Sequence, residues 1–286
     1  MDIEQLSVGL TDKETLFYWI KERDQIRQKK EAGLPKPWST DPIFQHYKFC
    51  NVRREDDRVT IWIKNHWRDP CRGHPNMWFA MVVARLFNWP DTLDLIGFPL
   101  GDYPGYKEIW RKWLKEKRDN FKAKIFTGAY LVSTNGVSMD KIDYILDRVL
   151  TPIWERGFAP SYGDTLESYW NHLIQFDGLG SFMAGQVIAD LKYIDPVLEK
   201  ASDWWTWAPL GPGSKRGLNR YAGRDYRKPL KQSQGIGELI AIQSEIKKYL
   251  NMDLPVHDVQ NCMCEFDKYL RLEKGEGTVR SGYQGV

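Results

Sequence analysis

At 286 residues, with 42% hydrophobic and 14% aromatic content, the chain has ample material for one large domain or two packed lobes. A formal charge of +3 is too small to imply nucleic-acid binding by itself, so any basic surface must be local. The N-terminus lacks an apolar leader and no stretch approaches about 18 apolar residues, which predicts a soluble, cytoplasmic protein with no membrane partner.

The 13 Trp and 14 Tyr exceed what a core alone needs, because each wants a polar partner when buried, and the surplus suits stacking on bases or sugars. Cys50, Cys71, Cys262 and Cys264 show no metal-ligand spacing and read as reduced, buried thiols. No metal and no cofactor is expected.

In chain order the elements read as helices. The first spans Leu16 to Lys30 and is closed by Gly33 and Pro35. Thr40 or Asp41 is placed to cap a short helix at Pro42 to Tyr47. The charged segment FCNVRREDDR, Phe49 to Arg58, leads into a helix ending near Trp67. Met77 to Phe87 is apolar nearly all round and reads as a buried helix, and another starts at Pro90. Lys107 to Lys124 carries Trp110, Trp113, Leu114 and Phe121 on one stripe of a charged surface helix. In the small apolar stretch Phe126 to Ser133, Gly128 and Ala129 would let two helices approach closely. Helices at Ser138 to Trp154 and Thr165 to Gln175 follow. The fold class is all-α.

Residues 173–190, LIQFDGLGSFMAGQVIAD, form a helix, a two-glycine hairpin and a second helix opening at Ser181. Gly178 supplies a backbone angle that residues with a Cβ avoid, Leu179 plugs into the core, and Gly180 permits a close approach. The amides of Gly180, Ser181 and Phe182 open a helix, where unsatisfied N–H groups attract a DNA phosphate. The bland alternative is an ordinary helical corner with a glycine cap. Asp203 lies 23 residues beyond Gly180. This arrangement resembles the helix-hairpin-helix DNA glycosylase superfamily, with two helical lobes flanking a cleft in one domain over 1–286. There an acid at this place faces the sugar of a flipped nucleotide, where a carboxylate stabilises an oxocarbenium ion or orients water. No lysine stands at Ser181 or Phe182, so the resemblance implies a monofunctional enzyme. A helix N-cap is the structural alternative for Asp203.

Residues 204–220, WWTWAPLGPGSKRGLNR, offer Trp204, Trp205 and Trp207 as walls of a base pocket. They also offer a tight GPGS turn whose Gly213, Lys215, Arg216 and Arg220 suit a phosphate. The P-loop spacing is missing, and a proline-glycine loop with solvated charges is equally consistent. FCNVRREDDR, ARLFNWPDTL, the DGLGSFMA hairpin, GPGSKRGLNR and CEFDKYLRLEKGEG occur in this order from about Phe17 to Tyr283. Together they resemble the alpha-glutamyl/putrescinyl thymine pyrophosphorylase family, related to the helical domain of 5-hydroxymethyluracil DNA kinases and associated with hypermodified phage DNA.

That resemblance points to Asn51, Arg54, Asp57 and Arg58, to Asp203, Arg216 and Asn219, and to Glu265, Asp267, Lys268 and Arg271. Asn51 and Asn219 would meet the base. Read as residues, the first cluster also fits an internal salt-bridge network, and Glu265–Lys268 and Asp267–Arg271 fit helical ion pairs. The tail GEGTVRSGYQ is basic enough to touch DNA.

The expected function is therefore monofunctional excision of a bulky modified base from double-stranded DNA by a monomer, with Asp203 as the acid. The first alternative is a transferase replacing pyrophosphate on an activated 5-hydroxymethyluracil with an amine or amino acid. The second is a non-catalytic reader of modified DNA.

Overall fold

The computed structural model describes residues 11–128 and 132–276. Ala129 and the tail beyond Glu276, both singled out above, lie outside the described residues. The helices are α1 (Asp12–Glu31), α2 (Pro42–His46), α3 (Arg58–Ile63), α4 (Met77–Phe87), α5 (Pro90–Ile96), α6 (Tyr103–Asp119), α7 (Lys141–Asp143), α8 (Thr151–Arg156), α9 (Leu166–Leu173), α10 (Ser181–Leu191), α11 (Pro212–Tyr221), α12 (Gln232–Leu250) and α13 (Val256–Glu273). π-Helical stretches at Lys64–Arg68 and Tyr144–Leu150 continue α3 and join α7 to α8. No β-strand occurs among the described residues, so the all-α class holds. No helix among them is long and apolar enough to cross a membrane.

Local signals explain most boundaries. Helix α1 starts earlier than its apolar residues suggest because Thr11 and Glu14 form a reciprocal capping box. Asp41 caps α2 by accepting from the Ile43 N–H at 2.7 Å, with Pro42 in the first turn. All eleven residues of α4 are buried, as its uniform apolarity requires. Helix α6 stops at Asp119, which leaves Phe121 outside the stripe and 73% exposed. Phe126 to Gly128 is not helical, and a Cβ on Gly128 would meet nothing within 4 Å, so the expected close approach there is absent.

Packing divides the chain into two compact units, one of residues up to Asp57 together with those from Trp205, the other Arg58–Trp204. In the Arg58–Trp204 unit, α4 packs on α10. Between them Asp190, fully buried, accepts from Arg85 Nε at 2.5 Å and Nη2 at 2.6 Å, with Arg68 Nη1 at 3.5 Å. Arg85 also donates to Thr60 and Asn88. The hairpin sits here too. Leu179 is fully buried and Gly178 has φ +84°. The close approach belongs to Gly178, where a Cβ would meet Val149 Cγ2 at 2.7 Å, and not to Gly180, which faces open space.

The other unit has its own core, with Leu16, Trp19 and Ile20 of α1 against Leu239, Ile242 and Ile246 of α12 and Met263, Phe266 and Leu270 of α13. The GPGS segment is not a tight turn. Gly211 caps α11, and Pro212 to Ser214 are its first turn. Gly213 and Gly217, four apart, lie on the face against α13, where a Cβ would run into Cys264 Sγ and the Met263 carbonyl respectively. A backbone carbonyl cannot move aside as a side-chain tip can. Gly217→Ala is therefore expected to destabilise this unit by roughly 3 kcal/mol, the upper range for an overpacked core, in urea unfolding; Gly211→Ala, with nothing within 4 Å of its Cβ, should be near neutral.

Candidate functional site

Helix α13 organises the motif residues. The extended segment before and after Asn51 carries backbone groups that need partners, and one face of α13 supplies them. Lys268 Nζ donates to the Lys48 carbonyl, and Glu265 accepts from the Cys50 N–H at 3.3 Å. Asn261 Nδ2 donates to the Asn51 carbonyl at 3.4 Å, and Asp258 accepts from the Arg54 N–H at 3.2 Å. The segment thus runs antiparallel to α13, rising in number as the helix falls. Val52, 2% exposed, plugs the strip into the core. The Glu265–Lys268 ion pair expected from spacing exists at 3.4 Å, but it serves this strip.

Beyond the strip the chain curls back in a 3-10 turn, Arg54–Asp56. Asp57 Oδ1 accepts from the Asn51 N–H at 2.8 Å, and Asn51 Nδ2 donates to the Asp56 carbonyl at 2.6 Å. Asn51 Oδ1 is buried with no hydrogen-bond partner among the described residues. Burial pushes the Asp57 carboxyl up to about 6, against the Asn51 hydrogen bond and the nearby Arg54 and Arg23 charges, with Glu265 adding to the rise. A carboxylate poised near neutrality beside an unsatisfied buried acceptor is the strongest chemical signature in this unit. The expected internal salt-bridge network is only partly present, since Asp56 pairs outward with Arg27 of α1 at 3.2 Å.

The opposite face of α13 meets α11. Asp267, 1% exposed, accepts from Arg216 Nε at 2.8 Å and Arg220 Nε at 3.1 Å, so the expected Asp267–Arg271 pair is replaced by a carboxylate gripped by two guanidiniums. Arg220 is also bonded to Glu276. Asn219 is fully buried and spends its amide within the following loop, donating to the Tyr226 and Lys228 carbonyls and accepting from Arg224 Nε at 2.9 Å. That leaves it no edge for a base. Lys215 stands partly exposed on the same helix.

The remaining expected residues disperse. Asp203 accepts from the Leu166 N–H at 2.8 Å and the Glu167 N–H at 3.0 Å, so it caps α9. Trp204 donates to the Lys192 carbonyl at 2.8 Å and lies under the Lys192 ammonium. Trp207 is 2% exposed and packs edge-on to His257, while Trp205 is 51% exposed. Asp203 and Trp204 belong to the unit of Arg58, Gly178, Gly180 and Ser181, whereas Trp205 and Trp207 belong to the unit of Asn51 and α13. All four cysteines are free thiols. Cys262 is buried as expected. Cys50 is exposed along its backbone, yet burial and the nearby Glu265 and Asp57 push its thiol well up. Burial with Glu265 and Asp267 nearby pushes the Cys264 thiol up to about 12.

Residues 12–278 match the family described as the helical domain of 5-hmdU DNA kinase. A 5-hmdU DNA kinase of Bacillus phage SP10 is 26% identical over 237 residues, covering 73% of this chain and 36% of the kinase. The chain thus spans about a third of the length of that relative. No solved structure matches. These findings overturn the reading as a base-excising glycosylase, because they tie the chain to a DNA kinase, a transferase. Asp203 bound to the α9 backbone is in keeping with that correction.

Proposed function

Since the chain belongs to the family of the 5-hmdU DNA kinase helical domain, we propose that it is a DNA base-modifying transferase acting at the 5-hydroxymethyl group of hydroxymethyluracil in DNA. The observation that carries this reading is the match over residues 12–278, nearly the whole chain, to a family named for that base. The chemistry we assign is substitution on an activated base. An amine nitrogen forms a bond to the 5-methylene carbon, the carbon–oxygen bond to a diphosphate breaks, and pyrophosphate leaves with the electron pair.

The residues around Asn51 support the assignment. Asp57, with its carboxyl near 6, is ionised at neutral pH and basic enough to take the proton the attacking amine must lose. The buried Asn51 Oδ1 is an acceptor for a substrate N–H, which both an amine and a uracil ring can offer. Arg216 and Arg220 of α11 are set on Asp267 at the opposite face of α13 and take no part in this assignment.

A second reading, a helical part that presents the base to a kinase, is favoured by the name of the phage relative. Two incubations separate them. Protein with DNA bearing the diphosphorylated base should release pyrophosphate only when a primary amine is added. Release of none, together with faster phosphorylation of hydroxymethyluracil DNA when the chain is added to a 5-hmdU DNA kinase and a nucleoside triphosphate, would instead select the presenting reading.

A further inference from the structure

An open cavity of about 520 Å³ lies beside the loop between α11 and α12, lined by Arg220, Arg224, Arg227, Lys274, Asp12 and Asp225 together with Gly223 and Tyr226. We propose that this cavity is a binding site for a phosphate-bearing ligand, either a phosphodiester of a DNA strand or a free phosphate compound. It stands apart from the chemistry assigned to Asp57 and does not depend on it.

Four cations line the cavity against two carboxylates, Asp12 and Asp225. The inner two are fixed. Arg224 donates to Asn219 at 2.9 Å and grips Glu238 with both terminal nitrogens at 2.8 and 2.6 Å, while Arg220 is held by Asp267 and Glu276. These pairs shape the wall and hold the loop. The outer two are at the mouth. Arg227 is exposed, donates to the Tyr226 hydroxyl at 2.9 Å and rests on the Tyr226 ring at 5.0 Å. Lys274 is 41% exposed with a loose 3.3 Å contact to Asp12. An arginine fork held by a phenol keeps two terminal nitrogens for a phosphate.

The sequence RDYRKPLK, Arg224 to Lys231, adds Lys228 and Lys231 to the same stretch, four cations to one acid. A lone phosphate needs far less space, and the volume falls in the range of pockets that hold a nucleotide-sized ligand.

The test uses the full chain with two probes, a fluorescent DNA duplex read by anisotropy and inorganic pyrophosphate read by calorimetry. The paired variant Arg227→Ala with Lys274→Ala is compared with Lys112→Ala on α6 of the other unit, and circular dichroism confirms that each is folded. We expect the paired variant to weaken at least one probe about 10-fold while Lys112→Ala does not. If the strand is the ligand, the slope of log affinity against log salt should fall by about 1–2 for the duplex. Loss for the duplex alone assigns a strand phosphodiester, and loss for pyrophosphate alone assigns a free phosphate ligand. Failure of the wild-type chain to bind either probe, or equal binding by wild type and the paired variant, would overturn the proposal. Because these are binding measurements, they stand whether or not pyrophosphate release is seen.

Discussion

Replacing Asp190 by alanine is expected to lower the unfolding free energy of the Arg58–Trp204 unit by about 3–5 kcal/mol, a large share of the roughly 5–15 kcal/mol typical of a whole domain. Asp190 is fully buried, and Arg85 and Arg68 are each about 2% exposed at the side chain. With the carboxylate gone, two guanidiniums remain in a low-dielectric interior without their buried counter-charge, and the neutral acceptors Thr60 and Asn88 on Arg85 do not replace it. The cost comes from stranded charge more than from lost attraction. It follows that Asp190→Leu combined with Arg85→Met and Arg68→Met should lose less than Asp190→Ala alone. Urea unfolding measures the sum, and hydrogen exchange in α4 and α10 locates it. A loss below 1 kcal/mol for Asp190→Ala would show that the triad is solvated.

The second large effect is on activity. Asp57→Asn should lower base modification about 100-fold, the low end of what a general base contributes, with the fold retained. Asparagine keeps an oxygen to accept the Asn51 N–H, so the strip along α13 remains intact. The same substitution carries a pH signature. The folded carboxyl titrates above its ordinary value, at about 6. Its protonated form is therefore the one that folding favours, fully so below about pH 4. That stabilisation is lost as pH rises through about 6, so Asp57 should make the wild type less stable at pH 8 than at pH 4 by roughly 1–3 kcal/mol. Asp57→Asn should flatten the difference. An unchanged pH profile of stability, together with full activity, would remove Asp57 from the site.

Much of the architecture was legible because local rules fixed it. The uniform apolarity of Met77 to Phe87 and the glycine hairpin before Ser181 specify their helices without long-range information. What failed was set by tertiary contact. Gly213 reads as a turn residue in the sequence, yet with Gly217 it forms the close-packing face of α11 on α13. Helix α12 carries Leu239, Ile242 and Ile246 at helical spacing, but Gly235 and Gly237 in its first two turns mask the helical signal in the sequence. The Asp190 triad left a usable trace, a lone arginine in one apolar helix and a lone aspartate in another. Of the site, Asn51 and Asp57 lie at the α13 face that carries Glu265, whereas Asp267 faces α11 and Asp203 caps the start of α9, 37 residues away in sequence.

The central claim is substitution at the base, and nucleoside mass spectrometry tests it most directly. DNA carrying diphosphorylated hydroxymethyluracil, treated with the protein and a primary amine, should yield a nucleoside in which the amine replaces the diphosphate, and Asp57→Asn should yield far less. An unchanged nucleoside composition, or abasic sites in place of a substituted base, would contradict it.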